Sequence, residues 1–400
     1  MRSVKDLDIT GKRVFIRVDF NVPIKNGTIA DDTRIRSSLP TIRYALERGA
    51  IVVLTSHLGR PKGKPNPEYS LRPIATRLSE LLGRPVGFAE DCVGEPAQRA
   101  IEKVARAATA GGDSGGGVVL LENLRFHPEE EKNDDAFARQ LAELADVYVN
   151  DAFGSAHRAH ASTEGIVRHV KNAAAGLLMA TEVEYLGRIL ERPDRPFVAV
   201  LGGAKVSDKL EVIQNLVPRV DALLIGGAMA YTFFKARGVP VGRSLVEEDL
   251  LDAAKDVERQ AKARHLRLEL PVDHVVAPKL EVGAPAETLD VGDPAIGDRM
   301  GLDIGPKTIA TYRSIIAGAK TVTWNGPMGV FEIDAFAKGT IELARAVADV
   351  KGITVIGGGG SISAAAKAGV TERITHISTG GGASLEFLGG RKLPGVVALG

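Results

Sequence analysis

The chain has 400 residues, 25% of them charged, and a formal net charge of +1. That length allows two domains with separate cores, and the near-neutral balance excludes broad electrostatic binding to nucleic acid or membrane surfaces. A single cysteine, Cys92, excludes an intrachain disulfide and fits a reducing compartment.

No stretch approaches the ~20 apolar residues of a membrane span. Met1 to Asp6 lacks the apolar core of a secretion signal, so a cytoplasmic protein is the expectation. Short apolar runs recur, most of them ending in glycine or a polar turn. They lack strict alternation, which predicts strands buried on both faces, as in parallel sheets covered by helices.

The first run is Val14 to Val18. Asp19 and Asn21 follow it and share one face if the strand continues, where they could hold ligand hydroxyls. They are also ordinary turn formers ahead of Pro23, and the segment alone favours the turn. A helix is predicted over Thr33 to Arg48, with Ile35, Leu39, Ile42 and Leu46 on one side. Asp32 or Thr33 caps it, Gly49 ends it, and Pro40 should kink it. Arg36 lies in its first turns, where a helix N-terminus and a guanidinium together suit an anion; a solvated arginine is the usual alternative.

Ile51 to Leu54 leads into Ser56-His57-Leu58-Gly59-Arg60-Pro61. Gly111 to Gly117, with five glycines, reads as a solvated connection rather than a site. Val118 to Leu121 leads to Arg125. Val147 to Val149 leads through Asp151 to His157, Arg158 and His160. Two histidines three apart with no nearby cysteine are weak grounds for zinc. Three strand ends delivering Arg or His, with Arg36 on the first helix, suit a small, richly charged anion at the carboxyl edge of a parallel sheet.

The domain boundary is expected between residues 170 and 195. Ala173-Ala174-Ala175 is read as opening a helix that carries Leu178, Val183, Leu186 and Leu190 and ends at Pro193 and Pro196. Residues 1–172 then form one domain and 173–385 the other, with 173–192 as the connecting helix.

Past this boundary the strand ends carry glycine. Phe197 to Leu201 runs into Gly202-Gly203-Ala204-Lys205, read as opening a helix that covers Asp208 to Val217. Its amides and dipole suit a phosphate, and Lys205 and Lys209, one turn apart, face the same anion in this reading. Ala222 to Ile225 runs into Gly226-Gly227, Thr321 to Trp324 into Asn325-Gly326-Pro327-Met328-Gly329, and Thr354 to Ile356 into Gly357 to Gly360. Close strand–helix packing is the alternative for any one of these turns. There is no Walker A loop, and Ile362 stands where a dinucleotide fingerprint needs its third glycine, which disfavours a dehydrogenase. Glu332 is either a ribose acceptor or a surface glutamate.

Strand and helix alternate throughout, giving an α/β class. No serine, cysteine or threonine nucleophile stands at readable spacing from a base. Phosphoryl transfer to or from a carboxylate needs none, because that group is already ionised at neutral pH.

These pieces, in this order, resemble the phosphoglycerate kinase family. The segments that carry the resemblance are Arg17 to Pro23, Ser56 to Pro61, Glu122 to His127, Asn150 to His160, Leu201 to Lys209, Trp324 to Glu332 and Thr379 to Ser384. The resemblance implies two doubly wound parallel-sheet (Rossmann-like) domains joined by an interdomain helix and hinge, with 386–400 packing back on the first domain. It implies reversible transfer of the acyl phosphate of 1,3-bisphosphoglycerate to ADP, giving 3-phosphoglycerate and ATP, with Mg2+ accompanying the nucleotide and hinge closure expelling water. By analogy Asp19, Asn21, Arg36, His57, Leu58, Gly59, Arg60, Arg125 and Arg158 hold the glycerate ligand. Gly203, Ala204, Lys205, Lys209, Gly301, Asn325, Pro327, Glu332, Gly358, Gly359, Gly360 and Ser361 would meet the nucleotide, and Arg36 and Lys205 would neutralise the moving group. A monomer is the family expectation.

Two departures stand out. Gly360 replaces an aspartate that helps hold magnesium in the family, which leaves open a binder that has lost turnover. Ala228 stands where a third glycine is common, and its methyl fits unless φ is positive.

Overall fold

A computed structural model of the protein describes residues 1–110 and 116–400. The chain forms two units, Met1–Val183 with Lys392–Gly400, and Glu184–Arg391.

Among the described residues, a six-stranded parallel sheet builds the first unit. Its strands are β1 (Arg13–Arg17), β2 (Ile51–Thr55), β3 (Gly87–Ala89), β4 (Gly117–Leu121), β5 (Val147–Asn150) and β6 (Ala173–Ala175). They pair in parallel in the order β3-β4-β2-β1-β5-β6. β2, β4 and β5 are buried along their whole length, which is why they read as unbroken apolar runs. The chain leaves β1 toward β2 on one side and later returns to β5 on the other. Carboxyl ends of β1 and β5 therefore flank a topological switch point, the place where such sheets bind ligands.

Helix α1 (Thr33–Leu46) runs unbroken through Pro40 and buries Ile35, Leu39, Ile42 and Leu46 against this sheet. Its N-cap, Asp32, makes no capping bond; Asp31 Oδ1 accepts from the Thr33 N–H instead, at 2.8 Å. Gly49 ends the helix with φ +69°. Of the expected connection Gly111 to Gly117, residues 111–115 lie outside the described residues, and Gly117 already belongs to β4.

Ala173 to Ala175 is a strand, not the start of a helix. It pairs with Tyr148 to Asn150, and the Ala175 N–H donates to Arg2 O at 2.9 Å. Alanine's helix propensity is a weak prior, and completing the sheet edge satisfies backbone groups that a helix would leave exposed. The helix proper, α2 (Leu177–Glu191), begins two residues later.

The second unit repeats the design. Its strands are β7 (Phe197–Leu201), β8 (Ala222–Ile225), β9 (Arg267–Glu269), β10 (Thr321–Asn325), β11 (Ile353–Gly357) and β12 (His376–Ile377), parallel in the order β9-β8-β7-β10-β11-β12. Here the switch point lies between β7 and β10. Trp324, Val200, Leu224 and Ile356 form the core with Tyr312 and Leu343 from flanking helices. All eight strands read from the sequence are present, within about a residue at each end, and the α/β class with two parallel sheets holds. An antiparallel sheet of Asp273–Ala277, Glu287–Asp290 and Met300–Ile304 adds to this unit. It was not legible in the sequence, because Glu287–Asp290 is mostly polar and exposed.

Candidate functional site

In the first unit the site begins at the end of β1. Arg17 is fully buried, and its guanidinium donates to Val18 O and to Ser162 Oγ, the latter at 2.7 Å. It also lies 3.1 Å from His57 Nδ1. An arginine can only donate, so Nδ1 accepts and neutral His57 carries its proton on Nε2. Burial, and then the charges of Arg17 and Arg125, hold the His57 pKa well below the usual imidazole value. Behind Arg17, Glu130 accepts from Ser162 Oγ at 2.5 Å and from the Ser162 N–H at 2.9 Å. Burial raises the Glu130 pKa while the nearby Arg17 opposes that rise. Three buried polar side chains, Arg17 directly and Ser162 and Glu130 behind it, thus fix one face of His57.

Past β1 the chain turns. Asn21 N–H donates to Asp19 Oδ1 at 3.3 Å, so the turn reading of this segment is the geometric one. The turn still serves the cluster. Asn21 Oδ1 accepts from the Gly59 N–H at 2.9 Å, and Arg125 Nη1 donates to Gly59 O at 2.9 Å. Asn123 Nδ2 donates to Leu58 O and Tyr69 O, at 2.8 and 2.9 Å. Gly59 has φ +61°, and a Cβ there would lie 2.4 Å from the Tyr69 ring, so only glycine fits. Asp19, Asn21, Gly59 and Arg125 are therefore one hydrogen-bonded group at the carboxyl ends of β1, β2 and β4, with Leu58 joined to it through Asn123 and His57 held separately by Arg17. Arg158 lies near enough to Arg125 for the two charges to repel, while Arg60 is exposed. His160 is held down to about 3 by burial and by Arg17 and Arg125, so it is neutral.

The structure does not bring Arg36 to this group. Its Nε donates to Asp32 Oδ1 at 2.8 Å, on an exposed part of α1. Arg34 stands there instead. Its Nη1 lies 3.3 Å from both Asp19 carboxylate oxygens and 3.1 Å from Asn21 O. Two residues along a helix point to different faces, and Asp32, four residues before Arg36, holds Arg36 on its own face.

In the second unit the turn after β7 does not open a helix. Six residues follow Gly203 before α3 (Leu210–Leu216) starts, with Lys209 as its N-cap. Lys205 and Lys209 are consequently not a helical turn apart. Lys205 is exposed; Lys209 is buried and donates through Nζ to Asn325 Oδ1. Burial pulls the Lys209 pKa down to about 8.

The glycine turns divide into two kinds. Gly202, Gly227 and Gly326 allow backbones to touch: a Cβ on Gly227 would lie 2.5 Å from Gly203 O, and one on Gly326 2.2 Å from Gly202 O. Gly203, with φ +107°, and Gly359 face open space. Helix α4 (Gly359–Lys367) starts directly after β11, with Gly358 as N-cap. Ser361 Oγ accepts from the Gly326 N–H at 2.6 Å, so this serine ties two turns together. Asn325 Nδ2 is buried without a partner below Gly358.

Beside these turns lies a cavity of about 400 Å³, lined by Gly203, Ala204, Gly227, Ala228, Gly301, Pro327, Met328 and Glu332 together with Leu245 and Leu280. Ala228 is not among the positive-φ residues, so its methyl is tolerated. Gly301 must lack a side chain, because Tyr231 Oη occupies the place of a Cβ; that hydroxyl pairs with His274 Nδ1 at 2.9 Å. A mostly apolar slot ending in amide-lined turns suits a nucleoside with its phosphates.

The family model described as phosphoglycerate kinase matches residues 4–391. The chain belongs to the phosphoglycerate kinase family. Its activity is accordingly the reversible transfer of a phosphoryl group between 1,3-bisphosphoglycerate and ADP, a step of glycolysis and gluconeogenesis. A phosphoglycerate kinase of Koribacter versatilis (strain Ellin345) is 57% identical over 405 residues, covering 99% of this chain and 98% of that protein. A solved phosphoglycerate kinase from Coxiella burnetii superposes with a TM-score of 0.88 at 43% identity, covering 99% of this chain and 97% of its own. Another, from Pyrococcus horikoshii OT3, gives 0.84 at 38% identity, covering 100% and 98%. Nucleotide and phosphoglycerate are the substrates that phosphoglycerate kinase membership implies, usually with Mg2+ on the nucleotide.

The turn Gly358 to Ser361 holds no carboxylate, only amides, a hydroxyl and open space. Such a turn fits phosphate oxygens rather than a resident metal.

Asp303 also lines the cavity. It accepts from the Gly339 N–H at 2.8 Å and the Ile304 N–H at 2.9 Å, yet burial lifts its pKa to about 7. A carboxyl whose folded pKa exceeds its unfolded value favours folding at low pH and loses that contribution as pH rises from about 4 through 7. Asp303→Asn is expected to flatten the pH dependence of stability over that window by a few kcal/mol, roughly 1.4 kcal/mol for each pH unit of its width. Denaturant unfolding of both proteins at several pH values checks this.

Proposed function

We propose that the first unit holds the glycerate ligand through Asp19, Asn21, His57, Leu58, Gly59, Arg60, Arg125 and Arg158, with Arg34 supplying the guanidinium next to Asp19. The observation that carries this is the hydrogen-bonded group at the carboxyl ends of β1, β2 and β4, in which Arg34 and Arg125 flank the Asn21–Gly59 link. Arginines suit the doubly charged phosphate and the carboxylate, while Asp19 and Asn21 suit hydroxyls. Neutral His57, with its proton on Nε2, is a donor that adds no charge.

In the same proposal the second unit takes ADP or ATP in the cavity. Glu332 accepts from the ribose, and Gly203, Ala204, Gly301 and Pro327 line the nucleoside. Gly358, Gly359 and Gly360 at the start of α4, together with Lys205 and Lys209, face the phosphates, while Asn325 and Ser361 hold the turns beneath. A β-phosphate oxygen of ADP attacks the acyl phosphorus, the bond from that phosphorus to the carboxyl oxygen breaks, and a carboxylate leaves. Neither nucleophile nor leaving group requires a proton, so no general base is needed. What the chain supplies is alignment and cancellation of charge by Arg34 and Lys205. A cytoplasmic, monomeric enzyme using the Mg2+ complex of its nucleotide completes this reading, and a buried free thiol, Cys92, is consistent with a reducing compartment.

A coupled assay for ATP formation from 1,3-bisphosphoglycerate and MgADP tests the proposal. A binder without turnover would instead raise its melting temperature with either ligand and form no ATP. The magnesium side is tested separately. A Cβ on Gly360 would lie 3.0 Å from Pro327 Cδ, a fit that needs only a few tenths of an ångström of adjustment. Gly360→Asp is expected to lower the Mg2+ concentration for half-maximal rate by about tenfold, as an added carboxylate ligand would. An unchanged midpoint in a variant of normal kcat would sink the idea.

A further inference from the structure

One group of metal-binding side chains in the first unit has no part in the kinase reaction. Asp91 and Cys92 follow β3, and His127 follows β4 after the turn Leu124–Phe126. A carboxylate oxygen of Asp91, the Cys92 Sγ and a ring nitrogen of His127 all lie within 4.8 Å of one another. His127 Nε2 is 2.6 Å from Asp91 Oδ1, and both side chains are about a third exposed, at 28% and 38%. Cys92 is buried, and it is the only cysteine in the chain. Three different donor types thus converge from two neighbouring strand ends, with solvent on one side.

We propose that Asp91, Cys92 and His127 form a zinc site. Sulfur, imidazole nitrogen and carboxylate oxygen match the preferences of Zn2+, whereas Mg2+ demands oxygen ligands in an octahedron. Tetrahedral Zn2+ with bonds of about 2.0–2.3 Å sets its ligand atoms roughly 3.3–3.6 Å apart. The Asp91–His127 pair must then open by less than about 1 Å, which the partly exposed carboxylate permits. Water takes the fourth position. Cys92 binds as thiolate, its proton passing to solvent as the Zn–S bond forms. The ion cross-links the ends of β3 and β4. Its ligand His127 lies two residues past Arg125, so binding also braces the turn that presents Arg125 to the glycerate group.

The test uses the full-length, chelator-treated enzyme. Titration with Zn2+ against a competing chromophoric chelator is expected to show one equivalent bound with a Kd at or below about 1 µM, unaffected by millimolar Mg2+. Co2+ in its place should give a thiolate-to-metal charge-transfer band in the near ultraviolet, a readout on the wild-type protein that needs no variant. Saturating Zn2+ should raise the melting temperature of the wild type by several degrees and leave Cys92→Ser unchanged. His127→Gln should weaken binding by at least 100-fold. Absence of equimolar binding, a Co2+ spectrum without the thiolate band, or wild-type affinity in Cys92→Ser would each overturn the site.

Discussion

Arg34→Ala is expected to lower kcat by about 10³-fold, the scale of losing one guanidinium from a phosphoryl-transfer site. Arg36→Ala should leave kcat within about threefold, since it removes only an exposed pair with Asp32. The contrast follows from their partners. Arg34 lies against Asp19 and Asn21, which join the Gly59 and Arg125 group, whereas Arg36 is held by a carboxylate four residues earlier on its own helix. Steady-state rates of the two purified variants, with melting curves to verify folding, decide the matter. If Arg36→Ala falls as far as Arg34→Ala, the assignment is reversed.

Arg17→Met should produce the largest loss of stability. Arg17 is fully buried, and its guanidinium serves Val18 O, Ser162 Oγ and His57 Nδ1 while balancing the buried Glu130. Methionine of similar length leaves three acceptors and a buried carboxyl without their partner. Breaking such a group by removing one member costs about 3–5 kcal/mol. For a unit of this size that corresponds to a drop of roughly 10 °C in melting temperature. Affinity for 3-phosphoglycerate should fall as well, because His57 loses the contact that sets its tautomer and tilt. Adding Glu130→Gln should recover part of the stability, since the uncompensated charge is then gone. Calorimetry of the single and double variants measures both effects; a single variant melting within about 2 °C of wild type would refute the account.

Much of this was legible in the sequence. The eight long strands announce themselves because a strand buried on both faces must be apolar throughout, and the cations or glycines that follow them directly are visible as punctuation. The choice between Arg34 and Arg36 was not legible. Each lies about 100° to one side of Ile35 on the helix, so the apolar stripe favours neither. Only the docking of α1 on the sheet turns one toward Asp19. Ala173 to Ala175 misled for a related reason: local propensity said helix, and the open edge of β5 outweighed it. The Glu130–Ser162–Arg17–His57 group was invisible because its members come from four separate segments and no short spacing joins them. Lys205 and Lys209 fit a helical turn in sequence, but the backbone leaves Gly203 at φ +107° and stays irregular until Leu210.

The first unit draws on two separate stretches of the sequence, residues 1–183 and 392–400. Arg2 O receives the Ala175 N–H, and in the later stretch the Gly395 N–H donates to Ala156 O at 2.9 Å, while the second unit is one uninterrupted stretch from Glu184 to Arg391. During synthesis, then, the second unit has all of its residues made before the first unit has its last ones. The clasp at Gly395 can form only after the whole second unit has been made, so a chain cut short after Arg391 keeps every residue of the second unit and lacks the segment that closes the first.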